Sequence, residues 1–145
     1  MKARKILAII LIGVMMLSAA FTMSSCGQKE EEKPETLEEY VEQSEDAGKE
    51  LEGIGNSMSN EMLDGTVDVK NNAIIITCKL KETYKSKDFE KLADQFSTQF
   101  EEYKDQFDET LDSMEKESGI EGAEIQIIVQ NGDGEEIYSE TFTKE

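Results

Sequence analysis

The chain has 145 residues, room for one small domain with short appendages. It carries 15 Lys and Arg against 33 Asp and Glu, a net charge of −18, with two cysteines, no His and no Trp. Such acidity repels phosphate backbones and anionic headgroups, which argues against nucleic-acid binding and against membrane binding through a basic face. Without His the commonest general base at neutral pH and the commonest zinc ligand are missing, and two cysteines are too few for a secreted disulfide framework.

The first elements concern export. Lys2, Arg4 and Lys5 form a positive start, and an apolar run from Ile6 to Met23 follows, interrupted by Gly13, Ser18 and Thr22. This is the pattern of a secretory signal peptide. The run is also almost long enough to cross a bilayer, which takes about 20 apolar residues, so an uncleaved anchor helix is the rival reading. Met23-Ser24-Ser25-Cys26-Gly27 decides between them. It resembles the lipobox of bacterial lipoproteins, with small residues before Cys and Gly27 after it. Met23 stands where Leu is usual. The resemblance implies transfer of a diacylglycerol lipid to the Cys26 thiol and cleavage between Ser25 and Cys26. Each buried methylene contributes about 0.8 kcal/mol and stable anchoring takes about two chains, which is what a diacylglyceryl group supplies.

Three segments follow: a signal peptide over 1–25, a lipidated Cys and acidic tether over 26–35, and a single domain over 36–145. Removing the first 25 residues leaves 12 basic and 33 acidic residues, a net of −21. Gln28 to Glu35 offers no apolar side chain to bury and reads as a hydrated spacer.

Thr36-Leu37-Glu38-Glu39 has the form of a capping box opening a helix, with Leu37, Tyr40 and Val41 on one face. Leu51, Ile54, Met58 and Met62 continue helical spacing. Gly48, Gly53 and Gly55 each weaken a helix by about 1 kcal/mol relative to Ala, so this region is expected to bend or split. A hairpin comes next. If Asn71-Asn72 are its two loop residues, Val69 faces Ile74, Val67 faces Ile76, and Cys78 joins the buried side as a core thiol without a His partner. From Asp88, a candidate N-cap, the stripe Phe89, Leu92, Ala93, Phe96, Phe100, Tyr103, Phe107, Leu111 and Met114 predicts one amphipathic helix. It is on the order of 40 Å long and ends near Ser118-Gly119.

The last segment is a second hairpin turning at Asn131-Gly132-Asp133-Gly134. A four-residue loop pairs Ile127 with Tyr138, Ala123 with Phe142, and Ile128 with Ile137 on the opposite side. A three-residue loop turns Ile137 inward instead. The turn lacks the spaced acids and distal bidentate Glu of a calcium loop, and no metal role is expected for it. The order of elements predicts an α+β fold: an N-terminal helical region, a hairpin, a long amphipathic helix and a hairpin. The two hairpins are expected to form one antiparallel four-stranded sheet packed on the long helix.

The lipobox, Thr36-Leu37-Glu38-Glu39-Tyr40-Val41, the Val-rich strand turning at Asn71-Asn72, and the late hairpin around Gly134 and Tyr138-Ser139 together resemble a domain-of-unknown-function family of small lipoproteins from Gram-positive bacteria. The resemblance implies a place on the outer face of the cell membrane. It brings no activity, no catalytic residues and no cofactor beyond the lipid on Cys26.

The function expected from these features is a non-enzymatic binding or interaction module, held to the membrane by its lipid and meeting a protein or envelope partner. Ile75, Ile128 and Ile137 form a candidate partner patch on the sheet face away from the long helix, unless the N-terminal helices cover it. Two alternatives stay open: an enzyme acting on envelope material through paired carboxylates, and a cation-responsive acidic surface element. No nucleophile–base couple, phosphate loop or metal-spaced cluster points to a catalytic residue or metal ligand.

Overall fold

A computed structural model describes residues 8–10, 12–13, 34–43 and 45–144. Ser25, Cys26 and most of the tether lie outside the described residues. Among the described residues, no helix is long and apolar enough to cross a membrane.

The domain opens with helix α1 (Leu37–Gln43) and helix α2 (Glu45–Met58). The capping box forms at α1. The Thr36 hydroxyl accepts the Glu39 N–H at 3.2 Å, while the Glu39 carboxylate accepts the N–H of Glu35 at 2.8 Å. The expected split falls after Gln43, ahead of the glycines, and all three glycines lie within α2. Gly55 is there for contact. A Cβ on it would stand 3.1 Å from the Gly65 carbonyl oxygen, and one on Gly65 would stand 2.7 Å from the Met58 Cβ. Two glycines thus let α2 lie directly on the first strand.

Strands β1 (Leu63–Lys70) and β2 (Ala73–Leu80) pair antiparallel, with Val69 opposite Ile74 and Val67 opposite Ile76, as the two-Asn loop predicts. Asn71 takes φ 53°, the left-handed conformation that Asn tolerates. The turn is also a junction. Asn71 exchanges bonds with Glu38, accepting its N–H at 2.9 Å and donating to its carboxylate at 2.8 Å. The Asn72 side chain accepts the Leu37 N–H at 3.1 Å, and its carbonyl accepts the Glu124 N–H at 2.8 Å.

The expected single long helix is two. A 3-10 turn (Ser86–Asp88) leads into α3 (Phe89–Glu102), Tyr103 leaves helical geometry at φ −106° and ψ 14°, and α4 (Lys104–Ser118) follows. Strands of seven or eight residues span only about 26 Å, so an unbroken rod on the order of 40 Å would overshoot the sheet. The break lets Phe96 and Phe100 from one half, and Phe107, Leu111 and Met114 from the other, all reach the core. α4 ends on Gly119 at φ 74°, the left-handed cap the sequence anticipates. Asp88 precedes α3 as expected, but its side chain makes no capping bond.

Strands β3 (Glu124–Gln130) and β4 (Glu136–Thr143) complete one sheet in the order β1-β2-β3-β4. The sheet is mixed, which corrects the all-antiparallel expectation. β2 and β3 run parallel, with Ala73 level with Glu124 and Lys79 level with Gln130. The α3–α4 connection carries the chain back along the sheet to the end where β2 began, as a parallel pair requires. The second hairpin has a five-residue loop. Val129 faces Tyr138 and Ile125 faces Phe142, two residues from the predicted partners but on the predicted side. Ile128 faces Ser139, not Ile137. A β-bulge between Val129 and Gln130 absorbs the extra residue.

Helices α1 to α4 pack on one face of the sheet. Ile74, Ile76, Cys78, Leu80, Ile125, Ile127 and Val129 are buried beneath them. Phe100 sits among four rings, with centroids at 5.7 Å from Tyr138, 5.9 Å from Phe107, 6.0 Å from Phe142 and 6.5 Å from Phe96. Phe107 stacks on Phe142 at 4.2 Å. This cluster joins α3, α4 and β4.

Asn131, at 1% exposure, clamps the loops at the other end of the sheet. Its side-chain oxygen accepts the Tyr84 N–H at 2.7 Å, and its amide donates to the Tyr84 carbonyl at 3.0 Å. Asn131→Ala removes both part-buried hydrogen bonds to the Tyr84 backbone and is expected to cost about 1–3 kcal/mol. Urea denaturation checks this: the midpoint falls while the slope stays unchanged.

Candidate functional site

The outer face of the sheet presents the residues that alternate with the core set. Ile75 and Thr77 of β2 and Gln126 and Ile128 of β3 point there, each half-buried. Ile128 is level with Thr77 and Ile75 with Gln126, so the two isoleucines are diagonal neighbours across the parallel pair. Around them lie the exposed Asp64, Thr66, Asp68 and Lys70 of β1 and Ser139, Thr141 and Thr143 of β4. The result is a narrow apolar stripe in a polar frame, mostly of hydroxyl groups with Asp64, Asp68 and Lys70 among them. Ile137 lies at the bulge with 8% exposure and is not part of it. α1 and α2 join α3 and α4 on the inner face, so no described helix covers the outer one. A depression of about 400 Å³ borders Ile75 at the Asn71-Asn72 end, with Gly122 and Gln126 in its wall.

A second feature lies where α4 meets the end of β4. Lys144 donates to Asp112 at 3.1 Å and to Glu115 at 2.7 Å, and Lys116 reaches Asp112 at 2.8 Å. Glu115 also accepts the Gly122 N–H at 2.6 Å. Hydrogen bonds from Lys144 hold Glu115 below the usual carboxylate range, against a partial opposing effect of burial. Bonds from Lys116 and Lys144 lower Asp112 likewise. These groups line a depression of about 760 Å³. Their charges are spent on one another, tying the end of β4 to α4.

Sequence inspection missed one inward acid. Glu140 lies opposite Ile127, on the covered face of edge strand β4, and accepts a hydrogen bond from the Tyr138 hydroxyl. Burial, then the bond to Glu140, raises the Tyr138 pKa. The alternation Tyr138, Glu140, Phe142 carried the signal, since residues two apart share a face. Among the described residues, no group of three or more His, Cys, Asp or Glu is placed to hold a metal ion.

Cys78 is fully buried in β2 and unpaired with another cysteine. Burial pushes its thiol from 9.0 up to about 12.

A one-sided four-stranded sheet with α1 to α4 on its inner face and an open polar outer face defines this as a small α+β domain. The chain belongs to the family described as Domain of unknown function (DUF4854), whose model matches residues 37–142. The match begins at the first residue of α1 and stops within β4. No curated protein and no solved structure matches the chain.

The thiolate is the reactive form of cysteine, so Cys78 is expected to resist iodoacetamide at pH 8 in the native domain and to react readily in guanidinium. Its folded-state pKa is raised, so the unfolded state loses this proton first. Stability is therefore expected to decline as pH rises from about 9 towards 12, with raised Tyr138 acting in the same direction. Denaturant midpoints across that range, compared with Cys78→Ser, check the contribution.

Proposed function

We propose that the protein is an exported lipoprotein, held on the outer face of the cell membrane by a diacylglyceryl group on Cys26. There it displays its domain as a non-enzymatic binding module of a Gram-positive envelope. The observation that carries the anchoring is Met23-Ser24-Ser25-Cys26-Gly27, placed directly after a positive start and an apolar run. The family match supports the division of the chain, because it leaves residues 1–36 outside the domain.

The physics of the arrangement is coherent. Two acyl chains attach the protein without help from an acidic body. Nine residues separate Cys26 from Thr36, and the ten steps between the two, fully extended, reach at most about 35 Å. Like charges along Glu30, Glu31, Glu32 and Glu35 favour extension, and a processed chain of net −21 is repelled by anionic headgroups. The domain therefore stands off the bilayer with its sheet free to meet a partner.

Mass spectrometry of the native N-terminus is expected to find a lipid-modified Cys26 as the first residue, and Cys26→Ala to retain the leader. A native chain that begins at Met1, or an alanine variant still processed before residue 26, overturns the anchoring. For the binding role, Ile75→Lys with Ile128→Lys is expected to keep the thermal transition and reduce cross-linked envelope partners. Unchanged partners with an unchanged fold count against the outer face.

A further inference from the structure

The two edges of the sheet are finished differently. Along β1, backbone groups that face away from β2 are met by the chain itself. The Asn60 N–H donates to the Leu63 carbonyl at 2.9 Å. The Ser59 hydroxyl accepts the Gly65 N–H at 2.9 Å, and the Asp68 carboxylate accepts the Val69 N–H at 2.9 Å. The other edge is β4. Backbone groups alternate in direction along a strand. Glu124 turns its N–H towards β2, where the Asn72 carbonyl accepts it, so Ile125, Ile127 and Val129 turn theirs to β4. Their partners there are Phe142, Glu140 and Tyr138. Ser139, Thr141 and Thr143 therefore turn their N–H and C=O groups away from the sheet. Among the described residues no hydrogen bond meets those groups.

A groove of about 310 Å³ runs beside this open edge. Residues 140–143 of β4 form one wall, and Glu101 of α3 with Lys104 and Asp108 of α4 stand on the other, across the break at Tyr103. Consecutive strand residues point to opposite faces, so four in a row place the groove along the edge of the strand. Phe142, stacked on Phe107 at 4.2 Å, adds an apolar ring. Three acids stand against one base, and Glu140 and Asp108 are half-buried.

From this edge and groove we propose that β4 is an acceptor strand for an extended segment of a partner protein with Lys or Arg at alternate positions. The segment pairs with the outward groups of Ser139, Thr141 and Thr143 and adds a fifth strand. Every second side chain then faces the helices, where its cation meets Glu140, Asp108 and Glu101. A long cation suits the groove, because its methylenes lie along Phe142 while its head reaches a carboxylate. Glu140 keeps the bond from Tyr138 and has lone pairs left for a second donor. The inward acid also selects: a neutral strand would bury it without a counter-charge, and a second copy of β4 would bring Glu136 and Glu140 of its own. This site shares with the proposed function the reading of the domain as a binding module, and uses neither the lipid nor the Ile75–Ile128 stripe.

The test uses the full chain in neutral detergent and a fluorescent peptide of about eight alternating Lys and Val residues, within the usual range of strand lengths. Anisotropy is expected to show binding that weakens with salt. A peptide of equal charge with Pro in place of each Val cannot pair as a strand, and is expected to bind about tenfold more weakly. Thr141→Pro removes one outward N–H at a position where an edge strand tolerates Pro, and is expected to keep the thermal transition and lose binding to a similar degree. Glu140→Gln is expected to weaken binding and flatten its salt dependence. Ile75→Lys with Ile128→Lys is expected to leave it unchanged, so failure of the outer-face reading and failure of this one give different results. No binding, equal binding of the two peptides, or a folded Thr141→Pro chain that binds as well as the parent overturns the proposal in favour of plain charge attraction. If Thr141→Pro unfolds the domain, amide exchange of the parent chain decides. The N–H groups of Ser139, Thr141 and Thr143 are expected to slow when the Lys-Val peptide is added, and unchanged rates overturn the pairing.

Discussion

The structure depends on burying one face of a four-stranded sheet whose two central strands are the most apolar in the domain. Ile74, Ile76, Cys78 and Leu80 on β2 and Ile125, Ile127 and Val129 on β3 all point the same way. A side-chain period of two makes this an all-or-none arrangement, since a slip of one residue would turn each set to solvent. Asn71 prevents the slip at β1–β2 by taking a positive φ in a loop of fixed length. Once that face is set, the four helices have one place to go, and the opposite face is left to Ile75, Ile128 and the polar residues around them.

The edges and ends of the sheet carry polar devices. Edge strands β1 and β4 carry acids and hydroxyls, and Glu140 points inward to Tyr138, features that discourage pairing with a neutral or acidic chain. The Asn71-Asn72 turn holds the start of α1 and the start of β3, while Asn131 holds the β2–α3 connection to the β3–β4 turn. Two asparagine junctions thus lock opposite ends of the sheet through backbone groups. Such bonds are directional, and they specify which loops meet in a way that the aromatic cluster around Phe100 does not.

Acidity and anchoring work together in the function we propose. The charge that keeps the domain soluble also keeps it off an anionic membrane, so attachment falls to the lipid and spacing to the tether. With no histidine in the chain, the one side chain whose ordinary pKa lies between pH 5 and 8 is absent.

The amino-acid sequence alone determined the features that depend on near neighbours: the capping box at Thr36, the two-residue turn at Asn71-Asn72 with its register, the burial of Cys78, the helix end at Gly119, and the α+β class. Each follows from local spacing and turn chemistry. Tertiary structure decided what depends on distance along the chain. The break at Tyr103 is invisible in the stripe, because Tyr103 has the right spacing and only the length of the sheet rules out a straight helix. The parallel pairing of β2 with β3 follows from where a helical crossover sets the chain down. The bulge that buries Ile137 and the clamp made by Asn131 are likewise settled by what lies opposite them. Period and capping are encoded within a few residues, whereas the meeting of two distant segments is settled only when the core they share is packed.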